Sequence, residues 1–218
     1  MARTTTVKEV MWRIAVQLQD TVPQFTRWPE RETVMWLDDA QMAVWKFLPL
    51  SASRIDAIKL KPGTLQSIEN VDSSFYRLED GSTPAAPLRG IQFKRALHNM
   101  GANGATPGRA VRLVSHSDVD STDPNWHAID RRAPVVRECT TDPTMPLYFH
   151  VRPGASADPQ VWLRLACVAQ PDRIPNGGAR GSEIYLASGT NATKLSLRDE
   201  YLEPLVDYVV ARANEGDA

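Results

Sequence analysis

Apolar residues recur along the chain with two different periods. Near the start, Val7, Val10, Met11, Ile14, Ala15 and Leu18 fall at three- and four-residue steps, which places them on one stripe of an α-helix. Thr6 and Glu9 stand at capping-box spacing ahead of this stripe, and Asp20 to Pro23 ends it. A second helix is predicted from about Pro29 to Leu48. Pro29 suits a first helical position, and Glu30 and Glu32 favour the positive end of the helix dipole. Its main stripe is Val34, Leu37, Gln41, Val44 and Leu48, but a second apolar set also exists: Met35, Trp36, Met42, Ala43, Trp45 and Phe47. One core needs only one face, so the second set is expected to be covered by another part of this chain or by a neighbouring chain. Met35, Trp36, Met42 and Trp45 are therefore candidate subunit-interface residues. The last helical stripe is Leu202, Leu205, Val206, Val209, Val210 and Ala213, with Ser196 and Asp199 as cap candidates. Pro204 inside it predicts either a kink or the point where the regular helix begins. The tail, Asn214 to Ala218, is polar and expected to be mobile.

Between the helices the pattern changes. Arg54 to Leu60 reads as a strand, Lys61-Pro62-Gly63-Thr64 as a tight turn and Leu65 to Ile68 as the return strand. Gly90 to Leu97 is ambiguous between strand and helix, and Ala110 to Val114 is a short strand candidate. Ser115 to His127 is polar and irregular with room for one helical turn. Leu147 to Arg152 and Val161 to Ala169 are strands, the second alternating with Val161, Leu163, Leu165 and Cys167 on one face. Segments 80–87, 101–108 and 171–193 carry Pro and Gly and read as loops. Runs of helix and strand kept apart predict an α+β fold. Residues 1–50 and 194–218 would form a helical lobe, with 51–193 inserted as an antiparallel, β-rich lobe with long loops.

Composition narrows the function. The chain has 218 residues, with Lys plus Arg 25 and Asp plus Glu 26, for a net charge of -1. That excludes a protein that coats nucleic acid by bulk charge. No apolar run approaches the roughly 18 residues that would span a membrane. The opening Met1-Ala2-Arg3-Thr4-Thr5-Thr6 lacks the apolar stretch of a signal peptide. Two cysteines, Cys139 and Cys167, make no disulfide framework and suit a reducing cytosol.

The sequence carries no motif that assigns a catalytic, cofactor or metal site. No two of His98, His116, His127 and His150 stand at a spacing that makes a helical ligand pair, and neither cysteine belongs to a CxxC. Asp118, Asp120 and Asp123 begin like a calcium loop, but the matching positions hold Asp123 instead of Gly and Ile129 instead of Glu. Segments 101–108 and 177–181 are glycine-rich without the Lys-Ser/Thr or the strand-to-helix setting of a phosphate loop. Ser115-His116-Ser117-Asp118 holds triad residue types that are merely adjacent in sequence. Cys139 with His150 offers a thiol–imidazole pair, against the plainer reading of Cys139 as a small strand hydrophobe. The six tryptophans read as core or subunit contact before base stacking. Arg27, Arg31, Arg131, Arg132 and Arg137 read as solvated or ion-paired before DNA-facing.

The order of several segments carries a resemblance. Val7-Lys8-Glu9-Val10 through Leu18-Gln19-Asp20 is followed by Phe25-Thr26-Arg27-Trp28 and Trp36-Leu37-Asp38-Asp39-Ala40-Gln41. The chain closes with Asp199-Glu200-Tyr201, Leu205, Tyr208 and Arg212-Ala213-Asn214. Between them lie the turn after Leu60, Ala85-Ala86-Pro87-Leu88-Arg89-Gly90, and the stretch from Asp142-Pro143 to Val151. Taken together, nearly the whole chain resembles the head-to-tail adaptor (connector) proteins of short-tailed bacteriophages. The resemblance implies a structural virion protein and no enzyme. It implies a ring, commonly a dodecamer, that is assembled in the bacterial host cytoplasm and sits at the head–tail junction. Its partners would be other copies of itself, the portal protein, the tail nozzle or tail-tube protein, and double-stranded DNA passing without sequence specificity. Portal contact would fall near Arg212, Asn214, Glu215 and Asp217, a tail expected to order on meeting the portal. Other readings are another tail-completion or virion structural protein, a small-molecule binding module using the β lobe, and a small hydrolase with a cryptic site there.

Overall fold

The computed structural model describes residues 5–21, 27–84, 86–128, 131–174 and 193–216. The chain divides into two compact units, one of residues 1–52 with 171–218 and the other of residues 53–170. Helices dominate the first unit and antiparallel-rich sheets the second, which is an α+β fold.

Three helices build the first unit: α1 (Val7–Gln17), α2 (Glu30–Phe47) and α4 (Leu202–Gly216). α1 starts where the capping box places it. The Glu9 amide donates to Thr6 Oγ1 at 3.3 Å and the Thr6 amide donates to Glu9 Oε2 at 2.7 Å. Hydrogen bonds donated by the Thr6 amide and hydroxyl hold the Glu9 carboxyl below its ordinary range. Past the helix, buried Asp20 accepts from the backbone amides of Arg27 and Trp28, at 2.9 and 3.0 Å. Pro29 sits at the cap of α2, one position earlier than expected. α4 follows a 3-10 turn, Asp199–Tyr201, so Pro204 lies in its first turn. An amide there has no intrahelical acceptor, so the proline marks the helix start instead of kinking it. Neither proposed cap serves as one. Ser196 Oγ accepts from the Asp172 amide and Asp199 Oδ1 from the Thr5 amide.

The core of this unit joins the predicted stripes. Val10, Ile14, Val34, Leu37, Leu205 and Val209 are all buried in it. Burying a side chain of this size contributes about 1.5–3 kcal/mol. Gln41, on the same stripe of α2, is fully buried but not orphaned. Its Nε2 donates to the Asp172 carbonyl at 3.0 Å and its Oε1 accepts from the Ser196 amide at 3.1 Å. One polar side chain thus anchors both returning segments of the chain.

The second unit pairs two sheets. The first has strand order β3 (Tyr76–Arg77), β1 (Ser53–Lys59), β9 (Trp162–Ala169), β4 (Gly90–Asn99), antiparallel throughout. The second runs β2 (Gly63–Ser67), β8 (Tyr148–Ala155), β7 (Glu138–Thr141), β5 (Arg112–Leu113), with β6 (Arg132–Ala133) also on β8. The pairs β5–β7 and β6–β8 are parallel and short. Val161, Leu163, Leu165 and Cys167 bury the predicted face of β9 in one cluster with Cys139, Phe149 and Val151 of the other sheet. Phe93 and Phe149 stack across it, centroids 4.2 Å apart.

One expectation changes and one ambiguity is resolved. The turn at 61–64 does not close a hairpin. Both edges of β1 are occupied, by β3 and β9, so β2 pairs with β8 instead. Gly63, at φ 125, makes the bend that hands the chain from one sheet to the other. The ambiguous segment after Gly90 is a strand whose pairing with β9 shifts register three times. Each irregularity skips a residue, so Phe93, Ala96 and Asn99 face inward at three-residue spacing and imitate a helical period. Gly90 itself admits no side chain, because a Cβ would lie 2.4 Å from the Ile68 carbonyl oxygen.

Within the β unit, Arg54 and Asp56 stand two residues apart on β1, on the face that carries Ile58. They form a buried ion pair, and the Arg54 guanidinium lies 5.8 Å from the Tyr76 ring centroid. The helix α3 (His116–Thr122) occupies the stretch expected to hold one helical turn, which leaves no loop of acidic ligands there.

Candidate functional site: exposed helix faces and a histidine cluster

α2 uses its second apolar set unevenly. Met42 is buried, only 8% exposed, and Trp36 and Trp45 are half-buried against the core of their own unit. Trp36 also meets Trp28 edge-on, ring centroids 6.0 Å apart. Met35 is exposed, and Phe47, at 85%, is the most exposed large apolar residue described. Leu48 and Leu50 continue that exposed end of α2. A second exposed apolar pair is Trp12 and Val16 on α1, one helical turn apart. The helical stripe repeats of Trp12 and Val16 gave no sign of this, because two residues at one spacing are too few to read as a face.

The polar end of α4 is already formed. Arg212 and Glu215 make an i,i+3 ion pair at 3.3 Å on the helix surface, and Asn214 is exposed beside them. α4 extends through Gly216, so the helix takes in the first residues of the polar tail. The apolar stripe reaches Ala213, fully buried, and that contact carries the helix into the polar residues. Asp217 lies outside the described residues, as do the 177–181 glycines and most of the 171–193 loop.

In the β unit, three of the four histidines converge. α3 supplies His116, the turn after it His127, and β8 His150. Their ring centroids are 5.3 to 6.5 Å apart. Trp126, buried to 1% exposure, lies among them at 3.6 Å from His127 and 5.6 Å from each of the others. Its Nε1 donates to Asp120 Oδ1 at 2.8 Å. His116 Nδ1 bonds Thr140 Oγ1 at 2.9 Å and His127 Nδ1 bonds Thr64 Oγ1 at 3.3 Å. Burial, aided by the neighbouring His116 and His127, holds His150 below the ordinary histidine value. Asp142, lined up in the same hollow, is held below the ordinary carboxylate range by hydrogen bonds from Thr144.

The rejected chemistry takes definite places. Cys139 opposes Val151 on the inner face of its sheet, while His150 opposes Thr140 on the other, so the thiol and imidazole point apart. Burial pushes the Cys139 thiol up to about 12, which keeps it protonated and unreactive. Ser115 bonds Ser117, and His116 engages Thr140 and Asp120, so the adjacent triad types do not form a relay. Arg131 pairs with Asp123. The histidine cluster itself escaped sequence reading because its members are brought together by strand pairing and not by spacing. The one local signal was His116 and Asp120, four apart on α3.

A family model described as SU10 adaptor protein matches residues 5–218. No curated protein matches the chain.

Proposed function

From the membership of this chain in the SU10 adaptor protein family, we propose that it is a structural head-to-tail adaptor of a bacteriophage virion, without enzymatic activity. The match across residues 5–218 carries this reading, since it takes in both compact units. In this reading the protein forms a ring, a dodecamer, between the portal and the tail nozzle, and DNA passes through its channel. It would be assembled in the host cytoplasm before joining the virion.

Exposed apolar helix surface supports the ring. A closed ring needs heterologous contacts, in which one patch meets a different patch on the next copy. Met35 and Phe47 on α2 supply one patch and Trp12 and Val16 on α1 the other. Trp36 and Trp45 contribute their uncovered edges, and Met42 supports them from within. Arg212, Asn214 and Glu215, with Asp217 beyond them, are the proposed portal contact. The net charge of -1 suits a channel that does not grip phosphate.

Light scattering of the protein alone and with its portal protein tests the reading. A stoichiometric complex with the portal is expected. Phe47→Glu should weaken association about tenfold or more while changing subunit stability by no more than about 0.5 kcal/mol, as surface substitutions do. Absence of any portal complex at all concentrations would remove the adaptor reading.

A further inference from the structure

We propose that His116, Asp120 and His127 bind one divalent transition-metal ion of the zinc class, with water at the fourth position. This goes beyond the adaptor role and does not depend on it. One ligand atom from each residue lies within 4.8 Å of the other two, and His116 Nε2 is already 3.8 Å from Asp120 Oδ2. In a tetrahedral zinc site with bonds of about 2.0–2.2 Å, ligand atoms stand about 3.3–3.6 Å apart. His116 is half-buried and Asp120 and His127 are exposed, which leaves the three side chains room to draw together around an ion.

The outer contacts favour the same assignment. Metal-binding histidines and carboxylates commonly have their second polar atom fixed by a neighbour, which sets tautomer and orientation. Thr140 Oγ1 engages His116 Nδ1, Thr64 Oγ1 engages His127 Nδ1, and Trp126 Nε1 donates to Asp120 Oδ1. Each residue is thereby left with one atom to give, and His116 Nε2 and Asp120 Oδ2 already face one another. Two imidazoles with one carboxylate suit zinc, nickel or copper, whereas magnesium and calcium need a larger set of oxygens. Beside this set, His150 Nδ1 is buried with no hydrogen-bond partner among the described residues, an independent sign that the pocket is polar and incomplete. The ion would join α3 to the turn carrying His127, and through Thr140 and Thr64 to strands β7 and β2.

Untagged full-length protein, stripped with chelator, is titrated with zinc chloride by calorimetry and followed by native mass spectrometry. One zinc per chain and a raised melting temperature are expected. His116→Gln and His127→Gln should each weaken binding by at least the roughly 10–100-fold that loss of an outer partner costs, and Thr140→Val by about tenfold. His98→Gln, on β4 and outside the cluster, should bind like the parent. Circular dichroism and the metal-free melting temperature separate loss of a ligand from loss of the fold. The proposal is overturned if the parent binds no zinc, if folded His116→Gln and His127→Gln bind it unchanged, or if magnesium binds as tightly as zinc.

Discussion

The helical unit and the β unit solve the same burial problem with opposite materials. The helical unit closes its core with aliphatic stripes from three helices, and its buried Gln41 is satisfied entirely by backbone partners. Its surplus apolar side chains lie outside, on α1 and at the end of α2. The β unit buries a charged pair, Arg54 and Asp56, between strands and gathers three imidazoles around a buried tryptophan. Amphipathic helices have a free outer face, and apolar residues placed there remain available to another molecule. A strand buried on both faces has no such outlet, so any polar residue it carries must find a partner inside. The β unit exposes apolar residues too, among them Leu65, Phe75 and Leu113, so the contrast lies in what each unit buries: single polar side chains on backbone partners in one, an ion pair in the other.

The largest expected effect tests the polar interior. Asp56→Ala should destabilise the β unit by about 3–5 kcal/mol, because Arg54 would be left charged and buried without its carboxylate. The double change Arg54→Met with Asp56→Leu should recover most of that loss, since apolar residues of similar volume avoid the desolvation cost. Chemical denaturation of all three proteins decides it. Equal stability of Asp56→Ala and the parent would mean that this pair is not the constraint it is taken for.

A smaller effect is expected from the helical unit, whose stability is spread over many apolar contacts. Thr6→Ala removes one half of the α1 capping box and should cost about 1 kcal/mol. Amide exchange along α1 should rise most in its first turn. A loss as large as that of Asp56→Ala would break the contrast between a distributed core and a concentrated one.

The smallest effect concerns pH. Burial lowers the pKa of His150, and burial with the nearby Arg164 lowers that of His98. An unfolded histidine has a value near 6.5, so below it the unfolded chain takes up protons that the folded one resists. Stability is thus unaffected above that value and falls as pH drops through it. Thermal melts at pH 7.5 and 5.5, in chelator, should show this fall, and His150→Gln should reduce it. An unchanged pH response in that variant would assign the fall to other groups.

Much of the fold was legible along the chain because its signals are local. The stripes of α1, α2 and α4, the Thr6–Glu9 box and the alternation of β9 depend only on residues within a turn or two of each other. Local periodicity left β4 undecided between strand and helix, because bulges reset the alternation and wrote a helical spacing into a strand. The turn at Lys61 to Thr64 was recognisable, but its partner strand was not, since nothing in a turn states which edge of a sheet is still free.

The sequence by itself determined the helix stripes, the Thr6–Glu9 capping box, the presence of strands and the surplus of apolar residues on α2. Tertiary structure alone decided how that surplus divides, placing Met42 inside and Phe47 outside, and it alone brought His116, His127 and His150 to one place. The reason is physical. Helical periodicity is a property of a few consecutive residues, whereas exposure and convergence depend on which distant segments fill the space above them.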